Sequence, residues 1–300
     1  MGSLSLPAQI TKLGLWRFAL RLFHRSSVPV EWEGPFHKAG FSDYRIEERV
    51  YDRHSKPITP DISSVSLRAF AVVELTTGSE SKSTKIARYA TVNLSSLANI
   101  GLVLPAGNPQ AIPIVVRVHE GVPDNCTQVI YGETIKLRDV ELITDSSLRD
   151  ALRHLDGQPR VYAGQIDMAF CSESSLEEIR NGLLDQIKSI LITPGKRLSP
   201  HDMVMEGLGI ASSHISSRAK ESLVEKVRTS MDVLARGPRG RLTKYLQYTD
   251  GEYSSRLSKR PQGKTLEAIE ERLDDWIREA RDRTQKTLYQ PYSKRLPQNH

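Results

Sequence analysis

The sequence predicts an α+β protein. Its centre is a predominantly antiparallel, sandwich-like β core, preceded by an amphipathic helix and followed by a helical, basic C-terminal region. Three observations predict this. Short β-branched and alternating segments fill residues 64–171. Apolar residues recur at spacings of three and four before residue 26 and again after residue 174. Clusters of Gly, Pro and Asn punctuate the stretches between them.

The elements follow in order. Residues 8–25 read as a helix, with Leu13, Trp16, Leu20 and Phe23 on one face and Arg17, Arg21 and Arg25 on its neighbour. Aliphatic and aromatic groups beside arginines suit a helix lying at a lipid boundary, so these seven residues are the membrane-contact candidates. The same pattern also suits a helix packed on the protein's own core. Residues 31–63 are broken by Gly34-Pro35, Lys56-Pro57 and Thr59-Pro60, with a short strand expected near 44–51.

Strands are expected over 64–75, 86–94, 101–104, 112–118, 127–131, 134–143 and 160–170. The segment 112–118 is the strongest, with β-branched residues at five of its seven positions. A helix is expected over 145–155. Beyond it, Ser174-x-x-Glu177 has the form of a capping box opening a long helix to Pro194-Gly195. That helix is expected to cover one face of the sheet. Two more follow, over 218–235 and 264–288. The resulting domain plan is a basic amphipathic helix (1–30), a β-rich core with its covering helix (31–200), a helical extension (201–236), a basic flexible linker (237–263) and a C-terminal amphipathic helix and tail (264–300).

Composition limits the function classes. No apolar run approaches the ~18 residues of a membrane span. The N-terminus interrupts its apolar residues with four cations, so no secretory signal is expected. Met1–Leu6 misses the myristoylation pattern at its last position. Two cysteines, Cys126 and Cys171, make neither a disulfide framework nor a four-cysteine zinc site. An intracellular, reducing setting is the expectation.

Charge is unevenly placed. The chain carries +6, with four cations and no acid in residues 1–30, and fifteen cations against nine acids in 236–300. Basic ends on a near-neutral body attract polyanions.

Motifs of catalysis fail on inspection. Gly207-Leu208-Gly209-Ile210-Ala211-Ser212 lacks the last glycine of a dinucleotide fingerprint and has no strand before it. Gly195-Lys196-Arg197 lacks the rest of a phosphate loop, and His119-Glu120 lacks the second His of a zinc-protease helix. There is no Gly-x-Ser-x-Gly elbow. Cys126 is near His119 and Asp124 only in sequence. A protein that is not an enzyme, without cofactor or metal, is expected.

The constellation that remains is basic and aromatic. Arg239, Arg241, Lys244, Tyr245, Tyr248, Tyr253, Arg256, Lys259, Arg260 and Lys264 interleave cations with stackable rings. Cations neutralise phosphates and tyrosine faces stack on unpaired bases, which predicts sequence-tolerant, salt-dependent binding of single strands. The alternative is a solvated linker with incidental tyrosines.

A basic chain of this length with a β-rich middle and flanking helices resembles the plant-virus 30K superfamily of cell-to-cell movement proteins. The resemblance runs from Lys85 to about Phe170 and rests on residues 89–105 followed by the β-branched strand 114–118. It implies a non-enzymatic protein that binds single-stranded nucleic acid and associates peripherally with anionic membrane. It also implies a location in the host cytoplasm, at membranes and at plasmodesmata. The family's Asp closing a hydrophobic strand has two candidates here, Asp124 and Asp139; Val118 itself is followed by His119-Glu120. A second similarity, at Tyr162–Met168, is to matrix proteins of negative-strand RNA viruses, which bind anionic membrane and nucleocapsid and self-associate into homo-oligomers. An intracellular adaptor is the third expectation.

Overall fold

The structure is a computed structural model that describes residues 11–26, 31–78, 80–107, 109–120, 125–160, 166–236 and 241–288. Its elements are, in order, α1 (Lys12–Arg21), β1 (Arg25–Ser26), β2 (Trp32–Glu33), α2 (Pro35–Lys38), β3 (Asp43–Ile46), β4 (Val50–Tyr51), β5 (Pro57–Ile58), β6 (Ile62–Val65) and β7 (Phe70–Thr76). Then come α3 (Ser83–Tyr89), α4 (Ser95–Ala98), β8 (Ala111–Arg117), β9 (Thr127–Tyr131), β10 (Ile135–Arg138) and α5 (Ser146–Arg153). The rest is α6 (Leu176–Ile192), β11 (Arg197–Leu198), α7 (Pro200–Leu208), α8 (Ser217–Ala235), β12 (Leu246–Thr249), β13 (Glu252–Ser255) and α9 (Lys264–Leu288). The α+β class holds.

The chain divides into two compact units. One comprises residues up to 168 together with 210–219; the other comprises 169–209 and everything from 220. These boundaries differ from the sequence plan, which ran the β core on to residue 200.

The first unit is built on one six-stranded sheet, ordered β10-β9-β8-β7-β6-β3. Its flanks are antiparallel, but β7, β8 and β9 run parallel. The expected sandwich is therefore a single mixed layer covered by helices. The reason lies in residues 86–94, expected as a strand. Ile86 and Tyr89 are three apart, which is a helical spacing, and both are buried on α3. With α4, that helix forms the crossover that parallel neighbours require. The expected strand at 101–104 is irregular chain. Of the expected strand 160–170, residues 161–165 lie outside the described residues, and 166–170 form no strand.

β7 is buried at all seven positions, as a central strand covered on both faces should be. Phe70, Val72 and Val115 face a core with Ile86, Tyr89 and Leu97 of the crossover. The opposite face receives α1, whose Phe18 stacks on Tyr131 of β9 at 4.0 Å. Residues 210–219 return to this unit, where Ile215 bridges Ile46 and the ring of His214 stacks on Tyr44 at 4.1 Å.

The second unit is helical with a small sheet, ordered β11-β13-β12. α6 packs on α9 and on β13. It thus covers this unit, whereas the faces of the six-stranded sheet are covered by α1, α3 and α4. Its capping box is one residue later than the sequence suggests: Ser175 accepts from Glu178 N while Glu178 reaches back to Ser175 N. Among the described residues, no helix is long and apolar enough to cross a membrane.

Candidate nucleic-acid interface

The expected flexible linker contains an ordered hairpin. Asp250 and Gly251, both at positive φ, form the two-residue turn between β12 and β13. Leu246 pairs with Ser255 and Tyr248 with Tyr253, while β11 adds Leu198 beside Tyr253. Arg256 N then donates to Tyr245 O at 2.8 Å, which extends the pairing past the strands and sets Lys244 near Arg256.

The aromatic part of the expected site is consumed by this fold. Tyr253 is fully buried and donates its hydroxyl to Asp232 at 2.9 Å. Its ring lies 4.6 Å from that of Tyr248, whose face carries the Arg236 guanidinium at 3.9 Å. Tyr245 is half-buried with Arg272 5.4 Å from its centroid. Tyr253 is a packing group, which corrects the expectation for that ring, while Tyr245 and Tyr248 are half-buried, each with an arginine over its ring. Cross-strand pairing is the cause for two of them: Tyr248 stands opposite Tyr253, whose ring is buried against α8 through Asp232.

The cations divide likewise. Arg241 is half-buried and bonds Glu279, with Asp275 at 3.5 Å. Arg239 lies outside the described residues. Lys244, Arg256, Lys259, Arg260 and Lys264 are exposed, and none makes an ion pair among the described residues. Five cations thus run from the base of the hairpin to the first residue of α9. The bond from Arg256 N to Tyr245 O brings Lys244 to within one residue of Arg256 across the hairpin, and Lys259, Arg260 and Lys264 follow Arg256 in sequence.

The membrane-contact candidates are placed elsewhere. Leu13, Trp16, Leu20 and Phe23 are buried at 7%, 1%, 0% and 2% exposure, and Arg21 is buried with them. Arg17 donates from Nε to Met168 O at 2.8 Å, and Arg25 faces Glu31 at 3.6 Å. This helix is a core helix of the first unit, and its apolar face is already occupied. Of the two acidic motif candidates, Asp139 is exposed at positive φ with its carbonyl accepting from Thr127 Oγ1, and Asp124 lies outside the described residues.

A second polar arrangement sits where β7 ends. Asp61 Oδ2 accepts from Leu75 N at 2.5 Å and Lys12 Nζ donates to Leu75 O at 2.7 Å. Beside them, buried Glu74 accepts from Lys85 Nζ at 2.7 Å and from Tyr89 Oη at 2.6 Å. Burial, and then the Glu74 charge, push the Asp61 carboxyl up to about 7. No residue spacing announces this cluster, since its members come from α1, the residue before β6, β7 and α3. The bonds of Asp61 and Lys12 to the Leu75 backbone, and of Lys85 and Tyr89 to Glu74, make it a structural clamp on the strand end.

No protein-family model, curated protein or solved structure matches the chain. The arrangement of its own residues therefore carries the functional argument.

Proposed function

We propose that this is a non-enzymatic protein that binds single-stranded nucleic acid through its phosphates, without sequence preference, in the manner of a viral movement-type protein. The observation that carries the reading is the run Lys244, Arg256, Lys259, Arg260 and Lys264, exposed and without ion-pair partners among the described residues. Cations already neutralised by neighbours release no counterions on binding; these five are in a position to. Burial of Tyr253, and arginines over the rings of Tyr245 and Tyr248, argue for backbone contact over base stacking. Three of the eight histidines are used structurally: His24 bonds Tyr44 Oη at 2.7 Å, His37 bonds Glu33, and His214 bonds the Tyr44 carbonyl. That supports binding over catalysis. The movement role would place the protein in the host cytoplasm and at plasmodesmata.

The test uses the full chain and fluorescein-labelled single-stranded RNA of mixed sequence, titrated by anisotropy across a salt series. Five phosphate contacts give a log–log slope of about −3.5, at ~0.7 per contact. The variant carrying K244Q, R256Q, K259Q, R260Q and K264Q should keep its melting temperature and lose that slope. Equal affinity and slope in the variant, or no binding by the wild type at low salt, would overturn the reading.

A further inference from the structure

Unit 2 holds a cleft of about 490 Å³ between the start of α6 and the middle of α8. α6 contributes Leu176 and Ile179 to it. α8 contributes Ser222, Glu225, Lys226 and Thr229, which recur at spacings of three and four and so share one face. Lys226 turns its ammonium to Ser172 O at 2.6 Å, which leaves its methylenes along the cleft. The lining is therefore mostly apolar, with Ser222, Glu225 and Thr229 exposed at the mouth.

The course of α9 selects the occupant. α9 runs antiparallel to α6: Arg180 Nη1 donates to Trp276 O, and Arg281 Nε donates to Glu177 Oε1 at 2.8 Å. Leu176 and Ile179 each precede one of these α6 residues, so the cleft lies about 100° round α6 from its seam with α9. α9 runs on from Arg281 to Leu288, about 10 Å at ~1.5 Å per residue. Residues 289–300 follow it, outside the described residues. The chain from Leu288 to Leu296 can span about 26 Å when extended. The return needs about 10 Å back along α6 and about one helix diameter, ~10–12 Å, across it. Charge agrees with this course. Segments 172–179 and 220–229, which border the cleft, carry five acids against three cations, whereas 289–300 carries Lys294 and Arg295 and no acid. Glu221 and Glu225 are exposed one turn apart on α8. Leu296 directly follows Arg295, and Pro291 and Pro297 suit extended chain, which a cleft accepts. We propose that residues 289–300 of this same chain occupy the cleft, with Leu296 seated at Leu176 and Ile179 and with Lys294 and Arg295 meeting Glu221 and Glu225. This contact is separate from the residue 244–264 strip and goes beyond the RNA reading.

The test uses the full chain with engineered cysteine pairs under mild oxidation. T229C/L296C should form an intramolecular disulfide about tenfold faster than K188C/L296C, whose exposed α6 position lies about 13 Å past Ile179. Native Cys126 and Cys171 are buried, and peptide mapping identifies the thiols that join. Adding S222W, which fills the mouth from an exposed position, should abolish the difference between the pairs. In the chain without engineered cysteines, S222W should speed tryptic cleavage after Lys294 and Arg295 roughly tenfold at an unchanged melting temperature. E221Q/E225Q, again at exposed positions, should speed it about two- to fivefold. Equal rates for the two cysteine pairs, or S222W cleaved no faster than wild type, would overturn the proposal. Disulfide-linked dimers in place of the intramolecular bond would overturn it as well, since the occupant would then be the tail of a second copy. The five-glutamine variant of the basic strip should pair its cysteines as the parent does, so failure of the RNA reading leaves this one standing.

Discussion

The guanidinium of Arg236 lies 3.9 Å from the ring centroid of Tyr248, and Asp232 holds the same arginine at 3.2 Å from one turn earlier on α8. Tyr248, which looks in sequence like a base platform, is thus half of the latch joining α8 to the hairpin. Replacing Tyr248 with Ala should cost about 2 kcal/mol of stability, from lost ring burial and cation–π attraction. RNA affinity at low salt should stay within about twofold. Urea unfolding and anisotropy on the same preparation check both halves.

Asp61 makes stability fall toward alkaline pH. Its folded pKa of about 7 lies above the unfolded value near 3.9, so the native state prefers the protonated acid. Its contribution is fully present below about pH 4 and is lost as pH rises through 7. Asp61→Asn keeps an oxygen for Leu75 N and should raise the melting temperature at pH 8 relative to wild type. At pH 4 the two proteins should melt together. A larger gain at pH 4 than at pH 8 would contradict the assignment.

His24 acts in the opposite direction. Burial lowers its pKa to about 4, and electrostatic repulsion from His214, Arg21 and His37 adds to the shift. The unfolded ring titrates near 6.5, so protonation favours unfolding and stability is lost as pH falls from there through 4. His24→Gln, which retains a polar partner for Tyr44, should flatten that acid limb in a series of thermal melts.

Trp16 separates a core helix from a lipid-facing one. At 1% exposure it is among the largest side chains fully buried in the protein. Trp16→Ala should cost about 3–5 kcal/mol by leaving a cavity. A surface tryptophan would cost little, so chemical denaturation distinguishes the two.

Gly207 is required for space. A Cβ there would lie 2.2 Å from Phe170 Cζ, and its carbonyl accepts from Ala169 N at 2.6 Å. Gly207→Ala should destabilise by about 1–3 kcal/mol through overpacking. At Gly195 nothing lies within 4 Å and only the positive φ resists substitution. Gly195→Ala should therefore cost about 1 kcal/mol, a contrast measurable by parallel melts.

Helices with a sustained apolar stripe were legible in the sequence. Leu223, Val227, Met231 and Leu234 are all buried on α8, and α9 begins at the expected Lys264. The parallel centre of the sheet was not, because Ile86 and Tyr89 satisfy a strand-like reading until their spacing of three is weighed. At the candidate interface, neither the ion pairing of Arg241 with Asp275 and Glu279 nor the burial of Tyr253 was legible, since both depend on elements distant in sequence. Tyr253 is buried where β11, more than fifty residues earlier, supplies the neighbour for β13.

The bridge from Ile46 to Ile215 has a consequence for the order in which the protein is made. Residues 169–209 leave the ribosome after most of unit 1 but before its last piece, 210–219. Unit 1 therefore cannot gain the Ile215 bridge or the His214–Tyr44 stack until the opening helices of unit 2 have emerged. Those helices in turn wait for Tyr253 to complete their sheet. Neither unit can finish from a contiguous stretch of nascent chain, and no single proteolytic cut would release one of them whole.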